Sequence, residues 1–253
     1  MDPPASLKIS LAGGLALVLA SCVRSAAPPP PDVRDRWASE TRASLTLGEK
    51  VGQMILARAD GFFLHQDAPE LRALEDAAEA GRIGGVVFFQ GDPLATAVIA
   101  NRLQTVAPVP MLMASDYEWG AAFRVRGATR FPSAMAIGAG GNEDDVRFQA
   151  EVTAREARAI GIHLIFAPVL DLNVNAANSV INTRSYGEDP ERVSRLGVAF
   201  IVRAQEMGLL ATAKHFPGHG ATAVDSHRSL PVLRLERARL EKVELVPFRA
   251  AIG

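Results

Sequence analysis

The order of apolar and amphipathic segments constrains the fold of this chain more than any other feature of its sequence. Five short segments are almost continuously apolar, as strands covered on both faces of a parallel sheet should be. They are residues 51–58, 83–89, 110–116, 162–172 and 209–216. Because no hairpin turn signal separates them, the strands are predicted to be parallel and joined by right-handed crossovers.

Longer segments between these runs have the features of amphipathic helices. Each combines helical spacing of apolar residues with Asp, Asn or Pro near its start or Gly at its end. They are residues 68–81, 92–106, 142–161 and 188–208. The sequence therefore predicts alternating strands and helices.

This alternation fits either a doubly wound open sheet or a (β/α)8 TIM-type barrel. No G-x-G-x-x-G follows the first run, which disfavours a nucleotide-binding open sheet. Polar residues gather after the third, fourth and fifth runs, at Asp116, Asp171, Asn173, Lys214 and His215. In a barrel these strand ends converge on one mouth, so an α/β barrel is predicted. Only about five strand–helix units are present where a complete barrel has eight, so the barrel is expected to be incomplete in this chain.

The composition limits the classes of partner. The chain has 253 residues, of which 48% are hydrophobic and 22% charged, and a formal net charge of −1. This balance, without a lysine and arginine cluster, argues against a nucleic-acid partner. The single cysteine, Cys22, excludes an internal disulfide and a cysteine-built zinc site.

The N-terminus has the pattern of a targeting segment. Residues 1–21 contain a lysine followed by an apolar stretch that is too short to span a bilayer, and the stretch ends in "LASC". This resembles a bacterial lipoprotein signal, which implies lipidation of Cys22, location in the cell envelope and membrane contact through the lipid anchor alone. Residues 22–36 are expected to form a Pro-rich tether before a domain at residues 37–253. The alternative is an ordinary secretory signal.

The segment "KHFPGHGATAVDSH", Lys214 to His227, contains three of the five histidines. Asp225 and His227 are two residues apart, so their side chains share a side of extended backbone, where the carboxylate can orient the ring. The Gly-rich stretch before them suits a mobile loop. A second interpretation is a zinc site built from His215, His219, His227 and Asp225.

Several motifs together resemble glycoside hydrolase family 3 over residues 44 to 253. They are "KHFPGHG" followed by "DSH", "FAPVLDLNVN" and "NTRSYGEDPERV". The D-S-H loop is similar to that of the family's β-N-acetylhexosaminidases. One departure is "SDYEWGAAFRV", where Trp119 and Ala121 stand in a region in which relatives usually carry a glycine pair.

The resemblance implies roles for seven residues. His227 would be the general acid/base and Asp225 its partner, while Asp116, Arg124, Arg184, Lys214 and His215 would bind the sugar. Taken alone, Arg184 could instead pair with Glu188 or Asp189. No cofactor and no metal are expected.

The implied reaction is retaining exo-hydrolysis of terminal β-linked N-acetylglucosamine from cell-wall or chitin-type oligosaccharides. The family's nucleophilic aspartate would lie beyond Gly253, so this chain alone is expected to be inactive. The alternatives are a β-glucosidase or N-acetylglucosaminide phosphorylase of the same family, or a catalytically dead sugar-binding lipoprotein.

Overall fold

The computed structural model describes residues 31–253, which fall into two compact units. Helix α1, Pro31–Ser44, is the described part of the first unit, and Leu45–Gly253 form the second. The signal peptide and Cys22 lie outside the described residues. Residues 31–36, predicted as part of the tether, are helical in the structure, and Asp32 in the first turn and Arg42 in the last complement the dipole of α1. The compact unit also begins later than the predicted boundary at Trp37.

The second unit is built on one five-stranded sheet, and every neighbouring pair of strands is parallel, as predicted. The order is β1-β2-β3-β4-β5, the order of the sequence, so each crossover moves one strand along. The strands are β1 Leu56–Gly61, β2 Gly85–Gly91, β3 Leu112–Ser115, β4 Leu164–Ile165 and β5 Leu210–Ala211. This is the strand order of a (β/α) barrel that is not closed.

In the second unit, helix α2 precedes β1, and the other helices lie between the strands and after β5. They are α2 Leu47–Gly52, α3 Pro69–Glu79, α4 Pro93–Val106, α5 Ala134–Gly140, α6 Glu143–Ala159, α7 Pro190–Glu206, α8 Arg237–Lys242 and α9 Val246–Ile252. Asp92, Asn142 and Asp189 cap α4, α6 and α7 by accepting a hydrogen bond from a backbone N–H of the first turn. Among residues 31–253, no helix has the length and apolarity needed to cross a membrane.

The first strand begins later than predicted. Residues 51–58 were expected to be a strand, but a capping box between Thr46 and Glu49 starts helix α2, which continues through Gly52. The strand forms only from Leu56 onward. Local hydrogen bonding at the helix start therefore outweighs the apolar run.

The fourth and fifth strands are shorter than their apolar runs. Pro168 has no N–H to give to a ladder, and regular pairing stops near it. An isolated bridge between Val169 and Lys214 resumes the contact, with Leu170 N donating to Lys214 O at 2.6 Å. This bridge keeps the two chain segments side by side up to the polar residues that follow.

One face of the sheet is covered by helices and the other is partly open. Val86 and Phe88 of β2 are buried in the helix-covered core, together with α6 and α7 side chains such as Val146 and Phe200. The alternate residues of β2 are only half-buried, and on β3 and β5 Leu112 and Leu210 are exposed. We call this less covered side the open face.

Candidate active site

The carboxyl ends of three neighbouring strands carry the charged residues of the site. Asp116 follows β3, Asp171 follows the β4 segment, and Lys214 follows the β5 segment. Because parallel strands end at the same edge, these side chains meet there. The prediction that the polar residues at these strand ends lie together is confirmed.

Lys214 pairs with two carboxylates of the β3 segment. Its Nζ lies 2.8 Å from Asp116 Oδ1 and 2.7 Å from Glu118 Oε1. Asp116 Oδ2 also accepts from Arg124 Nη2 at 3.1 Å. Asp116 is therefore held between two cations, and its partners lie on the two sides of its carboxylate.

Arg184 pairs with Glu118, and not with Glu188 or Asp189. Its Nε and Nη2 donate to Glu118 Oε2 and Oε1 at 2.8 and 2.7 Å, a bidentate arrangement. Burial alone would raise the pKa of the Glu118 carboxyl, but hydrogen bonding from Arg184 and the charge of Lys214 hold that pKa below its usual value. Glu118 is therefore an ionised, enclosed carboxylate.

His215 is hydrogen-bonded to Asp171 through one ring nitrogen and to Arg184 through the other. Its Nδ1 lies 2.5 Å from Asp171 Oδ2, and its Nε2 lies 3.1 Å from Arg184 Nη2. A guanidinium only donates, so Nε2 is the acceptor, and Nδ1 carries the proton and donates a hydrogen bond to Asp171. This contact fixes a neutral imidazole with one tautomer. The Lys214–His215 peptide bond is cis.

Seven side chains thus form one continuous chain of charged contacts, which we call the site network. In order of contact they are Asp171, His215, Arg184, Glu118, Lys214, Asp116 and Arg124. It contains all five sugar-binding residues predicted from the sequence, together with two further carboxylates. With His215 neutral, three anions face three cations, so the network is balanced.

The start of the Gly-rich loop is held by side chains of the β4–α7 connection. Asp171 accepts from the backbone N–H of His215 and of His219. The Asn178 amide donates to the carbonyls of His219 and Gly220 at 2.9 and 3.2 Å, and Asn175 donates to those of Ala221 and Thr222. Residues 215–222 are therefore fixed on the site edge.

The predicted acid/base pair lies on the exposed part of this loop. His227 Nδ1 lies 2.8 Å from Asp225 Oδ1, and the same oxygen accepts from the His227 backbone N–H at 2.9 Å. These two hydrogen bonds lower the pKa of Asp225. The side chain of His227 is 81% exposed. Among residues 31–253, neither member of the pair hydrogen-bonds to the site network.

Trp119, where relatives usually carry a glycine pair, belongs to a cluster of aromatic side chains next to Arg124. The Trp119 ring packs edge-on against Phe123, with centroids 4.2 Å apart, and the Arg124 guanidinium lies over the rings of Phe123 and Phe89. The neighbouring Gly120 has φ 93°, and a Cβ there would approach the Phe131 ring to 2.8 Å. Asp116 and Arg124 nevertheless meet as the sequence predicts.

The zinc interpretation does not match the geometry. Within residues 31–253 no three His, Cys, Asp or Glu side chains converge as a metal site. His215 binds Asp171, His219 Nδ1 lies 2.8 Å from Thr222 Oγ1, and His227 binds Asp225. Of the four proposed ligands, only His227 and Asp225 are hydrogen-bonded to each other.

Glu118 is the residue that sequence reasoning missed. Its carboxylate lies two positions after Asp116, and residues two apart in extended backbone project to the same side. That spacing was a usable signal. Asp171, predicted to lie at the mouth, accepts hydrogen bonds from loop backbone and also orients His215.

A parallel α/β sheet with a charged network at the carboxyl ends of its strands is the arrangement found at the active-site end of (β/α) barrel domains. The model of the glycosyl hydrolase family 3 N-terminal domain matches residues 46–253. The chain belongs to this glycoside hydrolase family.

Two relatives carry N-acetylglucosaminidase names. The chain is 35% identical over 217 residues to a β-N-acetylglucosaminidase/β-glucosidase from Cellulomonas fimi, covering 86% of this chain and 37% of the relative. A family 3 β-N-acetylglucosaminidase structure from Paenibacillus sp. str. FPU-7 superposes with a TM-score of 0.76 at 39% identity, covering 83% of this chain and 40% of the other.

A third similar structure is a β-glucoside phosphorylase bound to 2FGlc. Its TM-score is 0.81 at 26% identity, and the match covers 88% of this chain and 39% of that one. The chain therefore spans about two fifths of the length of these three proteins.

Proposed function

We propose that this chain supplies the sugar subsite and the acid/base pair of a retaining enzyme that releases terminal β-linked N-acetylglucosamine. The observation that carries the proposal is the site network, because it presents fixed charged donors and acceptors at the strand ends. The names of the similar glucosaminidases support the choice of sugar.

The network leaves specific hydrogen-bonding capacity for a sugar. Lys214 has three N–H donors, of which two point to Asp116 and Glu118. Arg184 has five, and those on Nε and Nη2 and one on Nη1 are used by Glu118, His215 and Val180 O. One donor on each side chain thus remains for sugar hydroxyl or acetamido oxygens.

The acid/base step would use Nε2 of His227, because Nδ1 is engaged by Asp225. In the first step a carboxylate nucleophile, which the family resemblance implies to lie outside the 253 residues, attacks the anomeric carbon while the imidazolium protonates the departing oxygen. In the second step the neutral ring takes a proton from the water that cleaves the glycosyl–enzyme bond. Asp225 stabilises the ring when it is charged.

Sugar binding by the 253-residue chain tests the proposal directly. Trp37 and Trp119 are its only tryptophans, so in a Trp37→Phe background the fluorescence comes from the residue next to Glu118. Saturable changes with methyl N-acetyl-β-D-glucosaminide, and weaker ones with methyl β-D-glucoside, are expected. His227→Ala should leave this binding intact. No saturable change with either glycoside would refute the proposal.

Hydrolysis provides the complementary measurement. The chain alone is expected to bind 4-nitrophenyl N-acetyl-β-D-glucosaminide without releasing 4-nitrophenol, because the nucleophile is assigned elsewhere. Release that disappears in His227→Ala would show that the missing-nucleophile part of the proposal is wrong.

A β-glucosidase or phosphorylase is the second candidate, supported by the phosphorylase structure. A histidine that is neutral when it acts as a base adds no negative charge next to an incoming phosphate. This candidate predicts that the plain glucoside binds at least as tightly as the acetylated one and that inorganic phosphate binds with it. The same fluorescence titration, with and without phosphate, separates the two.

We also propose that the protein is lipid-anchored in the cell envelope through Cys22. The support is the "LASC" sequence after an apolar stretch. On expression in a bacterium, the unaltered protein should partition with membranes, and Cys22→Ser should partition with soluble protein. Equal partitioning of the two would contradict the anchor.

A further inference from the structure

We propose that Glu118 is a positioning residue of the sugar subsite, holding Arg184 and Lys214 in the geometry in which each offers one free donor to the ligand. This inference rests on the proposed function. It concerns a residue that would not itself touch the sugar, since only 4% of its side chain is exposed.

Glu118 determines the orientation of the Arg184 plane. The two carboxylate oxygens accept from Nε and Nη2 at 2.8 and 2.7 Å, so rotation of the guanidinium in its own plane is blocked. The opposite edge meets Val180 O through Nη1 at 3.1 Å. The direction of the one remaining Nη1 donor is thereby set.

The same oxygen of Glu118 also fixes Lys214. Oε1 lies 2.7 Å from Arg184 Nη2 and 2.7 Å from Lys214 Nζ, so one anionic atom bridges two cations. Asp116 takes a second donor of Nζ at 2.8 Å. Because the donors of an ammonium group are arranged tetrahedrally, two occupied directions define the third.

Without the charge of Glu118, no other member of the site network joins Arg184 to Lys214. Arg184 and Lys214 would repel each other across a partly buried space, where charges are poorly screened. Arg184 would retain His215, whose ring nitrogen is neutral, while Lys214 would retain Asp116. Both cations would then be free to move apart, and their spare donors would no longer converge.

Glu118→Gln is the direct test, because the amide keeps the shape of the side chain but removes the charge and one acceptor. The matched control is Glu75→Gln: Glu75 also accepts a bidentate pair, from Arg102 Nε and Nη2 at 2.8 and 3.0 Å, but it lies outside the site network. Each variant is made in the Trp37→Phe background and checked for folding by thermal unfolding.

Two readouts are measured on each folded variant. The ¹⁵N-resolved signal of the Arg184 Nε–H, assigned with Arg184→Lys, should be sharp in the parent and broadened or lost in Glu118→Gln. The dissociation constant for methyl N-acetyl-β-D-glucosaminide should rise by roughly tenfold or more in Glu118→Gln, and it should not change in Glu75→Gln. If Glu118→Gln does not fold, Glu118→Asp, which keeps the charge, is tested in the same way.

The outcomes separate this inference from the proposed function. Sugar binding by the parent with unchanged affinity and an unchanged Arg184 signal in the Glu118 variant would overturn the positioning role alone. Equal weakening by Glu118→Gln and Glu75→Gln would also overturn it, because the effect would then be general destabilisation. Absence of binding in the parent would overturn the proposed function and the inference with it.

Discussion

Lys214 is the residue that joins the β5 segment to both carboxylates after β3, Asp116 and Glu118. Its removal leaves Asp116 and Glu118 close together without the cation between them. Only 13% of the Lys214 side chain is exposed, so water would be a poor substitute for its contacts with the two carboxylates.

Lys214→Met is therefore expected to abolish sugar binding and to lower the free energy of unfolding by about 1–3 kcal/mol. The measurements are the fluorescence titration and chemical denaturation. Lys50→Met, at an exposed position of α2, is the control and should change neither quantity. A Lys214 variant that binds the glycoside as the parent does would exclude Lys214 from the subsite.

His163, at the start of β4, predicts a pH dependence of stability. Burial, assisted by the charge of Arg158, lowers its pKa, and its Nδ1 accepts a hydrogen bond from Met113 N. As pH falls below about 6.5 the unfolded chain binds a proton at this position more readily than the folded chain, so stability should fall as well.

The melting temperature should accordingly decrease between about pH 6.5 and pH 5 in the parent protein. His163→Asn retains an acceptor near the position of Nδ1 and should flatten the curve in this range. An equally steep decrease in the variant would assign the effect to other groups. A separate loss at lower pH, as Glu118 and other carboxylates with lowered pKa values become protonated, should remain.

The sequence was sufficient to predict which five candidate sugar-binding residues gather at the strand ends, but not how their side chains are joined. The motif around Lys214 and the acid after the third strand were visible locally. The partner of Arg184 was not, because Glu118 lies 66 positions away and nearer carboxylates were available as alternatives. Only the crossover between β3 and β4 brings the two together.

Among the elements, the Gly-rich loop has a fixed half and an exposed half. The Asn175 and Asn178 amides hold the carbonyls of residues 219–222, whereas the following residues, including His227, are largely exposed. The boundary between the fixed and the exposed half of the loop therefore lies directly after Thr222.

Asn178→Ala should release the fixed half of the loop. The side chain is buried and also accepts from the backbone N–H of Val180 and Ile181, so its loss leaves donors and acceptors unpaired. Amide hydrogen exchange at residues 218–222 should accelerate by roughly tenfold or more. Asn101→Ala, at an exposed position on α4, should have no effect. Equal exchange rates in the two variants would show that the Asn178 hydrogen bonds are not needed to hold this part of the loop.

The helices were predicted more accurately than the strands because their ends carry their own signals. Asp92, Asn142 and Asp189 satisfy first-turn N–H groups within a few residues, so the boundaries are local properties. The limits of β1, β4 and β5 depend on neighbours: the capping box of α2 delays β1, and Pro168 interrupts the ladder between the last two strands. Such competition is not visible from the apolar pattern alone.

At the scale of the whole molecule, the sequence predicted five parallel units, and the structure has them in that order. The charged edge is formed entirely from segments after β3, β4 and β5. The part of the barrel that is present therefore already contains the whole site network, so the proposed sugar binding can be tested apart from turnover.

The open face has a consequence for the behaviour of the purified chain in concentrated solution. β1 and β5 are the outer strands of the described sheet. On the open face, Leu112 of β3 and Leu210 of β5 expose apolar surface to water. Surfaces of this kind favour association of like molecules. In sedimentation velocity experiments, the average mass should increase with loading concentration. Leu210→Lys should suppress this increase, whereas the control Leu230→Lys, in the exposed loop, should not. A mass independent of concentration would mean that this surface is inert toward its own copies.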